Sequence, residues 1–463
     1  MNNDNIRIHP ERIQLLNNKK IKMDKEYVLY WMQSSQRTKD NHALAYAIQL
    51  ANQLNKPLLV YFGLTTNFPE ANRRHYQFML EGIKDVQTAL RDLQIQLVVL
   101  LTDVAEGAIK MAQQAAVVVV DRGYLRIQKR WYHQVAQRIA CQLVQIESDV
   151  LVPIEVTSNK QEYAAATIRK KITSQMDKFC EAVILSPVNK ESLSIVLPDS
   201  QLDLSNLNEL LDNLPIDQSV QPVSILKGGM IEANHQLQVF VTKKLEHYHT
   251  FRNDPGLNSL SMMSPYLHYG QISPVTLYNK VIQNRKFAES VATFIEEVII
   301  RRELSMNFVY YNQDYDNYNG LPQWAKISLD KHRSDDRPIV YTVEQLESAK
   351  THDCYWNAAQ TELLLTGKMH GYMRMYWGKK VIEWSKTPQS AFEWLVCINN
   401  KYSLDGRDPN GFVGVAWCFG LHDRPWKERP IFGMIRYMND KGLERKFDMS
   451  MYIDKVKSIH QLK

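Results

Sequence analysis

Residues 27–32 read YVLYWM. The same kind of continuous apolar run returns as PLLVYFGL at 57–64, IQLVVLL at 95–101, AAVVVVD at 115–121 and CQLVQIES at 141–148. Between these runs lie stretches with apolar residues every three or four positions: NHALAYAIQLANQLN at 41–55, then residues 72–93, 105–114 and 125–140. A strand covered on both faces shows no polar side, so it reads as an unbroken apolar run, whereas a helix crossing between parallel strands carries one apolar stripe. The alternation predicts a doubly wound parallel α/β domain of about five strands.

No GxGxxG follows the first of these strands; YWMQSSQRTKDNHAL stands there instead, at 30–44. Without those glycines the backbone cannot approach a pyrophosphate closely, so a dinucleotide is not expected there in the usual way. Gln33, Arg37, Asn41 and His42 either line a pocket at the strand ends or simply cap the helix and coat a surface.

The rest of the chain divides by its periodicity. Residues 1–24 read as an N-terminal tail and 25–155 as the α/β domain. Residues 156–230 hold one helical piece, SNKQEYAAATIRKKI, and a stretch rich in Pro, Asp, Asn and Ser, and read as a long surface linker. From 231 to 463 strand patterns vanish and helix follows helix, at 236–248, 274–282, 288–311, 343–349, 356–366 and 370–385. The expected architecture is therefore α/β plus all-α: a Rossmann-like domain, a linker and a helical domain.

Composition sets bounds on function. The chain has 463 residues, 44% hydrophobic and 23% charged, which is ordinary for a globular protein of two or three domains. The net charge of +6 permits a nucleic-acid partner without demanding one. Five widely spaced cysteines without a CxxC pair speak against a disulfide framework or zinc site and for a reducing, cytoplasmic setting. No apolar signal core or membrane-length run is present.

Chemistry concentrates in the helical half. Residues 351–439 pack Trp, Tyr, Arg, His and Met together, which suits a planar, charged, stackable ligand. Trp377 and Trp384 are seven apart and share a helix face, with Arg374 on an adjoining strip. Asp405, in LDGRDPNG, is a possible partner for that arginine, because a buried guanidinium needs a carboxylate. In RNDPGLNSLSMMSPYLHYGQIS (252–273), Ser261 and Ser264 precede a helix start. They serve either an anion, with Arg252 near, or plain capping. In FIEEVIIRRELSMNFVYY (294–311), Glu297 and Arg301 are four apart within an apolar run, so a carboxylate there faces a polar ligand or a buried partner. Trp417, Arg424, Trp426, Lys427, Arg429 and Arg436 form either a base-stacking, phosphate-holding surface or a solvated basic face. No HExxH, P-loop, GxSxG or Cys/His dyad supports hydrolysis or phosphoryl transfer.

Eight segments together resemble the class II cyclobutane pyrimidine dimer photolyases: YVLYWMQSSQR, FGLTTNFPEANRRHYQFMLEG, MMSPYLHYGQIS, EEVIIRRELSMNF, THDCYWNAAQ, GKMHGYMRMYWGKKVIEW, NNKYSLDGRDPNG and ERPIFGMIRYMN. They run in family order from residue 27 to 439. The resemblance implies a light-driven carbon–carbon lyase that uses reduced FAD to split dimers in UV-damaged DNA, acting as a monomer on a lesion flipped from the duplex. A second, antenna chromophore of unknown identity is also possible.

By motif position, Tyr248, Leu260, Ser261, Met262, Met263, Ser264, Arg302, Arg374 and Asp405 are implied to hold the FAD. Asn399 is implied to face flavin N5, and Trp377 with Trp356 to relay electrons. Glu297, Met375 and Trp417 are implied to line the dimer pocket, and Arg252, Asn253, Arg424, Trp426, Arg429 and Arg436 to hold DNA.

Three places depart from the wider pattern. Gly371 stands where other classes carry asparagine, and Arg301 where a tryptophan lines the pocket elsewhere. GVAWCFGLHD (414–423) is shortened. A cryptochrome-like photoreceptor without repair activity is the rival within the family. A flavin-free nucleic-acid binding module is the rival outside it.

Overall fold

The structure, a computed structural model, describes residues 8–196, 198 and 200–461. Its sheet contains β1 (Ile13–Leu15), β2 (Tyr27–Trp31), β3 (Leu58–Leu64), β4 (Gln96–Leu101), β5 (Ala115–Asp121) and β6 (Gln142–Ile146), in the order β1-β6-β5-β2-β3-β4. β2 to β6 are parallel and arise from the five apolar runs. Every residue of β2, β3 and β5 is buried, as strands sandwiched between helix layers require. The crossovers are α1 (His42–Gln53), α2 (Arg73–Asp92), α3 (Val104–Ala112) and α4 (Arg126–Arg138). The strand order reverses between β2 and β5, which opens a crevice at their carboxyl ends.

Both sheet edges are covered, and both covers differ from plain tail and linker. β1 lies within the expected tail and pairs antiparallel with β6, Ile13 opposite Ile146. Residues 1–7 of that tail lie outside the described residues. Only three residues long, with Gln14 and Leu15 exposed, β1 gives no strand pattern to read. At the other edge the linker passes β4, where Leu202 N–H donates to Val99 O at 2.9 Å and Val99 N–H to Gln201 Oε1 at 2.9 Å. Capping an edge this way removes a template for aggregation. Residues 197 and 199 of the linker lie outside the described residues.

The C-terminal half is helical. Its longest helical run covers Ala288–Ile295, a π-helical turn at Glu296–Arg301, and Arg302–Tyr311. Helices Cys354–Thr366, Gly371–Trp384, Pro388–Tyr402 and Pro409–Cys418 pack against one another around a core that includes Trp356, Trp377 and Phe412. No helix among the described residues is long and apolar enough to cross a membrane.

Buried polar groups join the two halves. Arg37, 1% exposed, donates from Nη1 to Asp149 Oδ1 at 2.7 Å and to Gly270 O at 3.0 Å. Gly270 has φ +64°, and a Cβ there would lie 2.0 Å from Ser34 O, so only glycine permits this approach. Arg37 and Asn41 are thus structural, Asn41 capping α1 by accepting from Leu44 N–H, while His42 opens that helix and is buried. On the helical side, the buried Glu303 carboxyl accepts from Leu151 N–H at 2.5 Å and Val152 N–H at 3.3 Å.

Burial pushes the Glu303 pKa up to about 8, against those hydrogen bonds and the pull of Arg302. An acid raised on folding binds its proton more tightly in the native state. Its stabilisation is therefore full below the unfolded pKa of about 4.3 and lost as pH rises through the folded value. Glu303→Gln, which cannot ionise, is expected to gain stability relative to the parent as pH rises from about 4 to 8. Thermal unfolding of both proteins across that range checks this; parallel curves would remove Glu303 as the source.

Candidate active site

The loop after β2 is closed to a phosphate. The Asp121 carboxylate accepts from the backbone N–H groups of Gln33, Ser34 and Ser35 at 3.0, 2.9 and 2.9 Å. Those are the amides a pyrophosphate would need, which accounts physically for the missing glycines. Beyond that loop lies a cavity of ≈ 120 Å³ between the halves, lined by rings such as Phe62, Tyr76, Trp131 and Tyr269, with Gln33 and Arg407.

The second centre lies within the helical half. Gly367, at φ +67°, ends helix Cys354–Thr366, and its carbonyl accepts from Leu404 N–H at 2.9 Å. That lock brings Lys368 against the loop after helix Pro388–Tyr402, where Lys368 Nζ donates to Asp405 Oδ2 at 2.8 Å. Lys368 Nζ also bonds Ser264 Oγ, at the end of the Leu260–Ser264 loop. Arg374 Nη2 stands farther off, 3.8 Å from Asp405 Oδ1. Burial alone would raise the Asp405 pKa. Attraction to Lys368 and Arg374, with hydrogen bonds from Lys368 and Ser264, more than offsets it and holds the carboxylate ionised. The expected Arg374–Asp405 pair is thus a triad whose nearer cation is Lys368.

Two buried polar atoms here have no hydrogen-bond partner: Asn399 Nδ2 and Asp405 Oδ1. Groups of this kind are usually satisfied by something bound. Asn399 is oriented by Ser403 Oγ, which donates to its Oδ1 at 3.2 Å. Helix Pro409–Cys418 presents Gly411 to this amide, 3.1 Å from a hypothetical Cβ, and Gly414 to the Arg374 stem at 3.8 Å. Three residues further comes Trp417. The three positions recur at i, i+3 and i+6, one side of a helix over about 9 Å. This single helix therefore borders the amide–carboxylate cluster at one end and carries Trp417 at the other. Its C-terminus is held by the buried Lys379, whose Nζ donates to Cys418 O at 2.5 Å.

Near the Trp417 end of that helix, Glu297 accepts from Arg252 Nη1 at 2.9 Å, and the Arg301 guanidinium lies 5.3 Å from the Trp417 ring centroid. Both Glu297 and Arg301 sit on the π-helical turn. Such turns rotate side chains off the α-helical register and occur often at functional sites. Tyr248 is buried, with its pKa raised by burial and then by the charge of Glu297. Asn253 is exposed and Met375 half-buried. Arg302 is not brought to this cluster: its Nη1 donates to Asp149 O at 2.6 Å, across the junction.

The tryptophans form a connected set. Trp377 stacks on Trp356 with centroids 6.3 Å apart and planes 11° apart, and Trp384 meets Trp356 edge-on at 5.7 Å. Trp356 inserts from a neighbouring helix between two rings that share one face of Gly371–Trp384. At the far end Trp384 contacts Tyr341 and the exposed His352, each at 5.3 Å. The indole N–H of Trp377 donates to Gln360 Oε1 at 2.9 Å.

Arg424, Trp426, Arg429 and Arg436 stand on one exposed face. The Arg424 and Arg436 guanidiniums lie 5.6 and 5.2 Å from the Trp426 ring, and that of Arg429 lies 5.1 Å from Tyr437. The backbone is pinned by Trp426 N–H donating to Met434 O at 2.8 Å.

A DNA photolyase family model matches residues 28–187. A deoxyribodipyrimidine photo-lyase of Methanothermobacter thermautotrophicus is 47% identical, covering 98% of this chain and 99% of that protein. One from Potorous tridactylus is 38% identical, covering 97% and 85%. Among solved structures, a class III photolyase from Agrobacterium tumefaciens matches with a TM-score of 0.73 at 17% identity, covering 94% and 89%. An archaeal photolyase from Sulfolobus tokodaii with two FAD molecules matches with a TM-score of 0.69 at 15% identity, covering 94% and 93%. The structural matches speak for the fold, an α/β domain followed by a helical one. The sequence identity, held along nearly the full length of both chains, decides the family: this chain belongs to the photolyase/cryptochrome family.

Proposed function

We propose that this protein is a deoxyribodipyrimidine photo-lyase of the class II type, which binds FAD in the helical half and uses light to split pyrimidine dimers in DNA. The observation that carries the reading is the unsatisfied pair, Asn399 Nδ2 and Asp405 Oδ1, beside Lys368 and Arg374 and next to two glycines. One stranded donor and one stranded acceptor suit the edge of a flavin ring, which offers both kinds of atom, and the two glycines let the helix approach the Asn399 amide and the Arg374 stem closely. Lys368, Ser264 and the Leu260–Ser264 loop would hold the polar chain of the cofactor.

When bound, reduced FAD supplies the excited-state electron that opens the cyclobutane ring and is then returned. The residues do the rest. Asn399 offers a neutral amide that hydrogen-bonds without delivering a proton, and ionised Asp405 fixes the cations around it. Glu297 and Trp417 shape the space above, where a flipped dimer would stack on the indole and meet the carboxyl. Flipping is cheap because a dimer is already poorly paired and stacked. Arg424, Arg429 and Arg436 hold flanking phosphates. Trp377 and Trp356 carry electrons inward from the surface to restore the reduced cofactor. The ring-lined cavity between the halves is the place for a second, flat chromophore.

The test is direct. Purified protein is incubated with a thymine-dimer oligonucleotide under near-UV or blue light and in darkness. Flavin absorbance with dimer loss only in the light is expected. Dimer loss in the dark, or a colourless protein, would sink the reading, and flavin without repair would favour a photoreceptor.

A further inference from the structure

The π-helical turn carries a row of alternating charge. Arg169 forms a bidentate pair with Glu296 at 2.8 and 2.9 Å, and Arg252 bonds Glu297 at 2.9 Å. Both carboxylates are therefore already matched by short contacts. Arg301 sits between them but is held loosely, its Nε 3.4 Å from Glu296 and 3.6 Å from Glu297, and that buried Nε makes no hydrogen bond. The guanidinium instead covers the Trp417 ring at 5.3 Å, with its side chain one-third exposed.

Three arginines against two carboxylates leave one positive charge over. The loosely held member is the one free to meet an anion. A cation over a half-buried ring is held more weakly than one in a charge-assisted bond to phosphate. A dimer leaving the duplex brings one anion with it, the phosphate joining its two nucleotides. It also brings a flat base to the face of Trp417 that Arg301 occupies.

We propose that Arg301 is a specificity-determining lesion contact. It leaves the face of Trp417 when the flipped dimer enters and takes the phosphate inside the dimer, a contact that undamaged DNA does not make. This rests on the repair reading above. A planar guanidinium with five donors can cover a ring and bond an anion, so this side chain suits both positions.

The experiment measures dark binding of the flavin-loaded protein to dimer-containing and undamaged oligonucleotides over a range of salt, for the parent, Arg301→Gln and Arg301→Lys. Arg301→Gln is expected to lose about tenfold in affinity for dimer DNA, with a log–log salt slope shallower by about 0.7–0.9, the value of one phosphate contact. Its binding to undamaged DNA should not change. Arg301→Lys should keep the slope, and it decides the matter if the glutamine variant does not fold. An unchanged slope in Arg301→Gln, equal loss on both DNAs, or a shallower slope in Arg301→Lys would overturn the assignment. A parent protein with no preference for dimer DNA would overturn the repair reading itself. A parent that prefers dimers, alongside a variant that matches it, would overturn only the role of Arg301.

Discussion

Trp377→Phe is expected to slow photoreduction of the oxidised cofactor by at least about tenfold while repair by chemically prereduced enzyme stays near the parent rate. Trp377 is 2% exposed and stacked nearly parallel on Trp356, which is fully buried and meets Trp384 in turn. Tyr341 and His352 then bring the chain of rings to the surface. A phenyl ring fills most of the same volume but is far harder to oxidise than indole, so packing survives while the relay is broken. The substitution also removes the indole N–H that bonds Gln360, leaving a buried acceptor unpaired at a cost of about 1–3 kcal/mol. A modest fall in Tm is therefore expected with the photoreduction defect. Flavin absorbance under blue light with an external donor reads the first effect, and single-turnover repair reads the second. Equal loss of both would mean that Trp377 acts on the cofactor site itself rather than as a relay.

β2, β3 and β5 were legible because a doubly covered strand must be apolar at every position, and their sequences are. β1 was not, since a three-residue edge strand with two exposed side chains is held by backbone hydrogen bonds that any residues supply. Arg374 and Asp405 were legible as a pair because each needed an opposite charge. Lys368 was missed: a lysine in a Gly-flanked turn looks like surface, and only the Gly367–Leu404 hydrogen bond carries it to the carboxylate. Glu297 and Arg301 were legible as a helix pair. The π-helical turn was not, because one extra residue in a turn leaves the apolar pattern of 288–311 nearly intact. Glu296 and Arg169, which complete the charge row, lie 127 residues apart and carried no local signal.

Asp405→Asn should have the largest effect on cofactor retention. Lys368 and Asp405 side chains are only 13% and 9% exposed, so water screens their charges poorly. Burial lowers the Lys368 pKa, and Asp405 is the chief influence holding its charge in place. Removing the carboxylate leaves the buried Lys368 beside the half-buried Arg374, with only the weaker pull of Glu362 remaining on the ammonium. Breaking one partner of a buried pair typically costs about 3–5 kcal/mol. The asparagine variant should purify with little flavin and a Tm several degrees lower. Since folding depresses the Asp405 pKa, its stabilisation is present above the unfolded value of about 3.9 and is lost as pH falls through the folded one. The gap between the parent and Asp405→Asn should then stay open as pH falls to 5 and close only under strong acid, and it should narrow toward alkaline pH as the stranded Lys368 ammonium sheds its proton. Adding Lys368→Met to Asp405→Asn removes the stranded ammonium and should recover part of the Tm, because a neutral pair avoids the desolvation that the single variant leaves uncompensated. Flavin content should stay low in the double variant, since Lys368 is assigned to holding the cofactor. Recovery of flavin along with stability would show that Lys368 serves only to balance Asp405.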